Sequence, residues 1–131
     1  MSEERPFGML EGHRYMRLTT FRRSGADVST PVWFVRVGDK LNMVTDIESG
    51  KAKRIRNNPG VTLAPSDFRG HPRGGSVEAV ARIMSGHDSE VADRALSKKY
   101  GWQYRAFNLV IRLLGKSANH AFFELRPLPK S

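Results

Sequence analysis

The chain has no cysteine, which removes disulfide frameworks, thiolate metal sites, thiol nucleophiles and iron–sulfur clusters at once. No apolar run approaches the roughly eighteen residues of a membrane-spanning helix, and the opening MSEERPFGML lacks the apolar stretch of a secretory signal. A cytoplasmic protein with no membrane partner is expected. Acids are scarce: 13 Asp+Glu against 22 Lys+Arg leave a net charge of +9, a balance that attracts polyanions such as nucleic acid, acidic lipid or a phosphorylated ligand. Catalytic signatures are missing too. The four histidines, at positions 13, 71, 87 and 120, have no metal-ligand spacing, the acids Asp67, Glu78 and Glu124 sit singly on strand-like segments, and there is neither a GxSxG elbow nor a Walker loop. No metal site and no catalytic side chain is therefore assigned. If the protein is an enzyme, its reactive group arrives on a cofactor.

What is present is the composition of one folded domain: 131 residues, 39% apolar and 27% charged, well away from the low hydrophobicity of disordered chains. A single domain over 1–131 is expected, with no repeat and no linker.

Strand signals dominate the first half. YMRLTTF (15–21) and VSTPVWFVRV (28–37) are rich in β-branched and aromatic residues, and RRSGAD between them supplies a turn. A Gly38-Asp39 turn leads to a third strand at 41–45, so residues 15–45 read as a three-stranded meander. Pro31 interrupts that pattern, marking an edge, a bulge, or a place where something other than a strand meets the backbone. Further strands are expected at 61–67, 76–84 and 119–127. Between the last two the period changes: Val91, Ala92, Ala95 and Leu96 share one helical face, and Phe107, Val110, Ile111 and Leu114 share another. The expected fold is mainly β, a six-stranded barrel with a short helix after the third strand and two helices before the last.

The short helix carries the strongest local signal. In SGKAKRIRNNP, Ser49 can cap a helix that ends by Asn58, ahead of Pro59. Every charged residue from Ser49 to Ser66 is a cation: Lys51, Lys53, Arg54 and Arg56. Ala52 and Ile55 share one side of such a helix, Lys51 and Arg54 flank it, and Lys53 lies opposite. Unpaired N–H groups at a helix start, a cap hydroxyl and a first-turn lysine together make a phosphate cradle. The residues alone also fit a solvated basic helix, and both readings stay open at this level.

Three segments in order, YMRLTTFRRSGADVSTPVWFV, LNMVTDIESGKAKRIRNNPGVTLAPSD and GHPRGGSVEAVARI, resemble the flavin/deazaflavin oxidoreductases with the pyridoxamine 5′-phosphate oxidase-like split-barrel fold. The TPVWF strand and the SGKxKRIRNNP helix look like the branch that uses the deazaflavin coenzyme F-420. The resemblance spans about residues 14–126. It implies a homodimer with the cofactor, coenzyme F-420 or alternatively FMN, in a groove at the subunit interface. The ring would lie against Thr30, Pro31, Val32 and Trp33, largely through backbone, with Thr45 at the end of the next strand. The phosphate would lie on Ser49, Gly50, Lys51, Lys53 and Arg54. Asp46 and Glu48, close before the cradle, oppose an anion there. Three functions follow: hydride transfer between the deazaflavin C5 and a small conjugated organic substrate, an FMN- or haem-binding relative, and a noncatalytic basic module for nucleic acid. The last lacks any recognisable nucleic-acid motif. Trp33, Phe68, Trp102, Tyr104 and Phe107 are candidates for either a substrate pocket or the core.

Overall fold

A computed structural model describes residues 7–46, 49–113 and 120–128, apart from the side chains of Asp46, Ile111, Arg112 and His120. The expectations for Asp46, Glu48, Ile111 and Leu114 fall on side chains outside that set.

A short 3-10 turn at Gly8–Leu10 precedes seven strands and three helices: β1 (Tyr15–Phe21), β2 (Asp27–Val32), β3 (Phe34–Val37), β4 (Lys40–Asp46), α1 (Gly50–Asn57), β5 (Gly60–Ser66), β6 (Val77–Ile83), α2 (Gly86–Tyr100), α3 (Trp102–Leu113) and β7 (His120–Pro127). The strands form one antiparallel sheet in the order β2-β1-β5-β6-β7-β4-β3, curled into a split barrel as expected. None of the described helices is long and apolar enough to cross a membrane.

Seven strands replace the expected six because the run 28–37 is broken at Trp33. Its first half pairs with β1, placing Val32 opposite Met16, and its second half pairs with β4, placing Phe34 opposite Met43. β2 and β3 therefore occupy the two outer edges of the sheet. The expected meander is two hairpins, β1–β2 and β3–β4, joined through one residue, and this junction links the sheet's edges covalently. Pro31 sits on edge strand β2, where a missing N–H is tolerated.

Strand alternation then makes two cores. Met16, Leu18, Phe34, Met43, Leu63, Phe123 and Leu125 point inward and are buried, and α1 adds Ala52 and Ile55 while Phe7 and Leu10 pack into the same cluster. Residues of the opposite parity, Trp33, Val35, Val44 and Phe122, pack outside against Leu96, Tyr100 and Tyr104 of the late helices. The helix α3 departs from its expected face: Tyr104 is its buried anchor, whereas Phe107 and Val110 remain half exposed. The Tyr104 hydroxyl donates to Asp93 Oδ1 at 2.6 Å, which ties α3 to α2.

The break at Trp33 needs its own fastening. Phe34 N–H donates to the Tyr100 hydroxyl (2.9 Å), whose single proton lies between Arg14 O (2.7 Å) and Phe34 O (2.8 Å). Lys99 Nζ donates to the same Phe34 carbonyl at 2.8 Å and lies 3.7 Å from the centroid of the Phe34 ring. Tyr100→Phe leaves a buried N–H without its acceptor, so a loss of about 1–3 kcal/mol is expected in urea unfolding. A variant as stable as the parent would show that the hydroxyl does not hold the junction.

The same contacts set an alkaline stability profile. Burial, with Arg14 nearby, lowers Lys99 from 10.5 to about 8, and burial pushes Tyr100 up to about 12. From pH 8 to 10 the unfolded chain holds the lysine proton more tightly than the folded one, so stability rises with pH. Above 10 the unfolded tyrosine ionises first, and stability falls. The urea midpoint is expected to peak near pH 10, and Lys99→Met to flatten the rising limb. A parent profile that falls steadily from pH 8 would refute this.

Candidate functional site

The α1 helix starts as its sequence indicates. Ser49 is extended and its Oγ accepts from Ala52 N–H at 3.2 Å, while Thr45 Oγ1 lies 3.3 Å from the same Oγ. The helix packs on β1 and β4, two strands that are not neighbours in the sheet. It thus spans the seam and directs its free N-terminal amides beside the end of β4.

Arg54 does not extend into solvent. Its Nε donates to Thr20 Oγ1 of β1 at 2.6 Å, and its guanidinium folds back over the helix start so closely that a Cβ on Gly50 would lie 2.7 Å from Nη1. Gly50 leaves room for the guanidinium, and its backbone conformation makes no demand for glycine. Lys51 stands beside it, half-buried, and burial followed by repulsion from Arg54 lowers its pKa. Among the described residues no acid pairs with Lys51 or Arg54. Two crowded cations, a serine hydroxyl and helix-start amides are groups whose chemistry suits an anion.

The structure brings Thr45, Ser49, Gly50, Lys51 and Arg54 together. Lys53 lies on the exposed side of α1, away from them. Thr30, Pro31 and Val32 run along β2, next to the strand that carries Thr20: Val28 is opposite Thr20, Thr30 opposite Leu18 and Val32 opposite Met16. At about 3.3 Å per residue, Thr30 and Val32 lie roughly 7 and 13 Å along the sheet from the Thr20 level. Among the described residues Thr30 Oγ1 is buried without a hydrogen-bond partner, and Gly70 abuts Pro31, a Cβ there reaching 3.2 Å from Pro31 Cδ. The Trp33 ring turns away, stacking on Tyr100 at 4.9 Å and meeting Phe107 edge-on at 5.5 Å. Its side chain is core, so Trp33→Ala tests stability rather than ring binding. Tyr104 is core as well, whereas Phe68 and Trp102 are exposed.

Sequence reasoning missed Thr20. Its signal was available, since a threonine occupies the inward phase of Met16 and Leu18, where an apolar residue is the norm. Two of the three single acids make structural contacts, and Glu78 is exposed. Asp67 accepts from the backbone N–H of His71 and Arg69, which holds its pKa down. Burial tends to raise Glu124, but Arg126, Lys40 and Arg82 prevail and keep it below the usual range. No cluster of three or more His, Cys, Asp or Glu suited to a metal occurs among the described residues.

Residues 3–128 match the family model described as pyridoxamine 5′-phosphate oxidase. The chain belongs to this family. Similar solved structures agree on the fold. The haem-storage protein HutZ of Vibrio cholerae has a TM-score of 0.70 at 13% identity, covering 93% of this chain and 87% of that one. A conserved hypothetical protein of Mycobacterium tuberculosis gives 0.66 at 20% identity over 100% and 91% of the two chains. An F-420 reductase gives 0.61 at 18% over 98% and 97%. No curated protein matches in sequence. At these identities the likeness is one of fold, within a family that includes oxidoreductases as well as haem-binding neighbours.

Gly50→Ala tests the cradle. The clash falls on the far end of a flexible side chain and alanine favours the helix, so stability is expected to stay within about 1 kcal/mol of the parent. The displaced guanidinium should weaken inorganic phosphate binding, read by titration of amide shifts at 49–54. Unchanged phosphate affinity would separate Arg54 from the site.

Proposed function

We propose that the protein is a coenzyme F-420-dependent oxidoreductase, acting as a homodimer on a small conjugated organic substrate. The observation that carries this reading is the pair Lys51 and Arg54 at the α1 N-terminus, with no acid paired to either among the described residues, one strand away from the Thr30 hydroxyl, which has no partner among them either. Ser49, the α1 amides, Lys51 and Arg54 would hold the cofactor phosphate, and the surrounding cationic run suits a tail of glutamates. Thr30, Pro31 and Val32 would receive the ring along β2, with Thr30 Oγ1 as a donor waiting for an acceptor. When bound, the deazaflavin supplies a hydride from C5 of its reduced ring. The protein's own work is to fix the ring and substrate in register and to exclude water. On one chain the β2 edge is open, which supports a groove completed by a second copy.

A second reading, an FMN- or haem-binding protein, draws support from the TM-score of 0.70 with a haem-storage protein. The experiment titrates the protein with coenzyme F-420, FMN and haemin in parallel, following absorbance, with light scattering across a dilution series. Saturable change with F-420 and twice the mass of one chain are expected. Lys51→Ala and Arg54→Ala should each weaken binding by about 1.5–3 kcal/mol, the range for a charge-assisted hydrogen bond. Lys51→Ala should melt with the parent, whereas Arg54→Ala also loses about 1 kcal/mol of stability through Thr20. Saturation by FMN or haemin alone would transfer the protein to the second reading. Competition by random DNA at equal phosphate, with no spectral change from any cofactor, would favour the nucleic-acid module.

A further inference from the structure

A cleft of about 570 Å³ lies between the N-terminal turn, β3 and α2, and it shares no residue with the α1 cradle. That volume falls within the usual range of small-molecule sites, about 300–1,000 Å³. Its apolar lining comes from Phe7, Leu10, Phe34, Val35, Leu41 and Ala95, and its charged lining from Glu11, Arg36, Lys98 and Lys99. One acid against three cations leaves the cleft positive. Glu11 and Arg36 lie 3.7 Å apart, and Arg36 also donates to Gly38 O, so both are engaged in the wall. Lys99 spends one of its three donors on Phe34 O, which leaves two for a ligand. Lys98 beside it is exposed.

We propose that this cleft binds an amphipathic organic anion, a carboxylate head on Lys99 and Lys98 with an alkyl or aryl body along Val35 and Ala95, over the buried Phe7, Leu10 and Phe34. The division of labour follows from the lining. An apolar wall next to a half-buried ammonium suits neither a fully polar anion nor a neutral apolar molecule as well as it suits a ligand with both parts. Lys99 is held over the Phe34 ring and against its carbonyl, so its position is set before a ligand arrives. The charged groups around Lys99 are Arg14 across Tyr100, Lys98 on the same helix, and Arg36 and Glu11 across the cleft. The cations among these, with burial, disfavour the ammonium, and a bound carboxylate reverses that. By linkage, binding should raise the Lys99 pKa and weaken as pH rises through about 8.

The probe is octanoate, compared with acetate, octanol and octyltrimethylammonium, by calorimetry and by the amide and lysine Nζ spectra. Octanoate is expected to shift residues 7–12, 34–36 and 95–99 and to bind at least about tenfold more tightly than the other three. Lys99→Met, checked for an unchanged fold by its amide spectrum, should weaken octanoate about tenfold and leave phosphate at the α1 cradle unaffected. Lys51→Ala should do the reverse, which keeps this inference separate from the cofactor reading. If Lys99→Met perturbs the fold, Lys98→Met and the rise of the Lys99 pKa in the parent serve instead. Equal binding of octanol would make the cleft merely apolar, and equal binding of acetate merely cationic. Either result, or octanoate shifts confined to 49–54, would overturn the proposal.

Discussion

The peptide group of Phe34 carries the fold's central constraint. A single extended run must leave one edge of the sheet and enter the other, and where it does so the strand ladder is interrupted. The N–H of Phe34 finds its acceptor in the Tyr100 hydroxyl, and its carbonyl is met by Lys99. A helix late in the chain thus satisfies the one break that lets a flat antiparallel sheet curl. The stacked Trp33 and Tyr100 rings bury the same joint. β2 and β3, the two outer strands of the sheet, meet at this contact.

Curling also gives α1 its place. Once β2 and β3 stand at opposite edges, β1 and β4 are brought close enough for one two-turn helix to lie across both. Ala52 and Ile55 are fully buried there, and this burial holds a helix that is too short to persist alone. Lys51 and Arg54 are consequently held against the sheet, whereas Lys53 and Arg56 face outward. Lys51 is half-buried beside a guanidinium that is itself bonded to a buried threonine. The crowding is a cost within the free protein, and a bound anion is the group that relieves it.

Much of this was legible from local pattern. Alternation identified the strands, Ser49 and Pro59 bounded α1, and the 100° geometry separated Lys51 and Arg54 from Lys53. Pro31 was flagged as anomalous, and it lies on an edge strand. The break at Trp33 was hidden because VSTPVWFVRV is uninterrupted in β-branched and aromatic residues. What divides it is a change of pairing partner, which no local propensity encodes, and a tyrosine that joins only through tertiary contact. The Arg54–Thr20 bond was hidden for the same reason, linking residues 34 apart. Tyr104 displaced Phe107 as the anchor of α3 because its hydroxyl meets Asp93, a contact that apolar periodicity does not weigh.

The sheet order has a further meaning during synthesis. β7, made after every other described strand, is internal: it pairs with β6 on one side and β4 on the other. A ribosome that has released everything up to α3 presents two strand groups, β2-β1-β5-β6 and β4-β3, joined through Trp33 and through α1 and still lacking the strand that lies between them. Chains elongate at about 5–20 residues per second, so the facing edges of β6 and β4 stay open for seconds while the helices emerge. Open edges of this kind recruit other chains. Yield of this protein in a cell therefore depends on how well those edges are shielded before β7 arrives, and a premature stop ahead of His120 would remove an internal strand of the sheet.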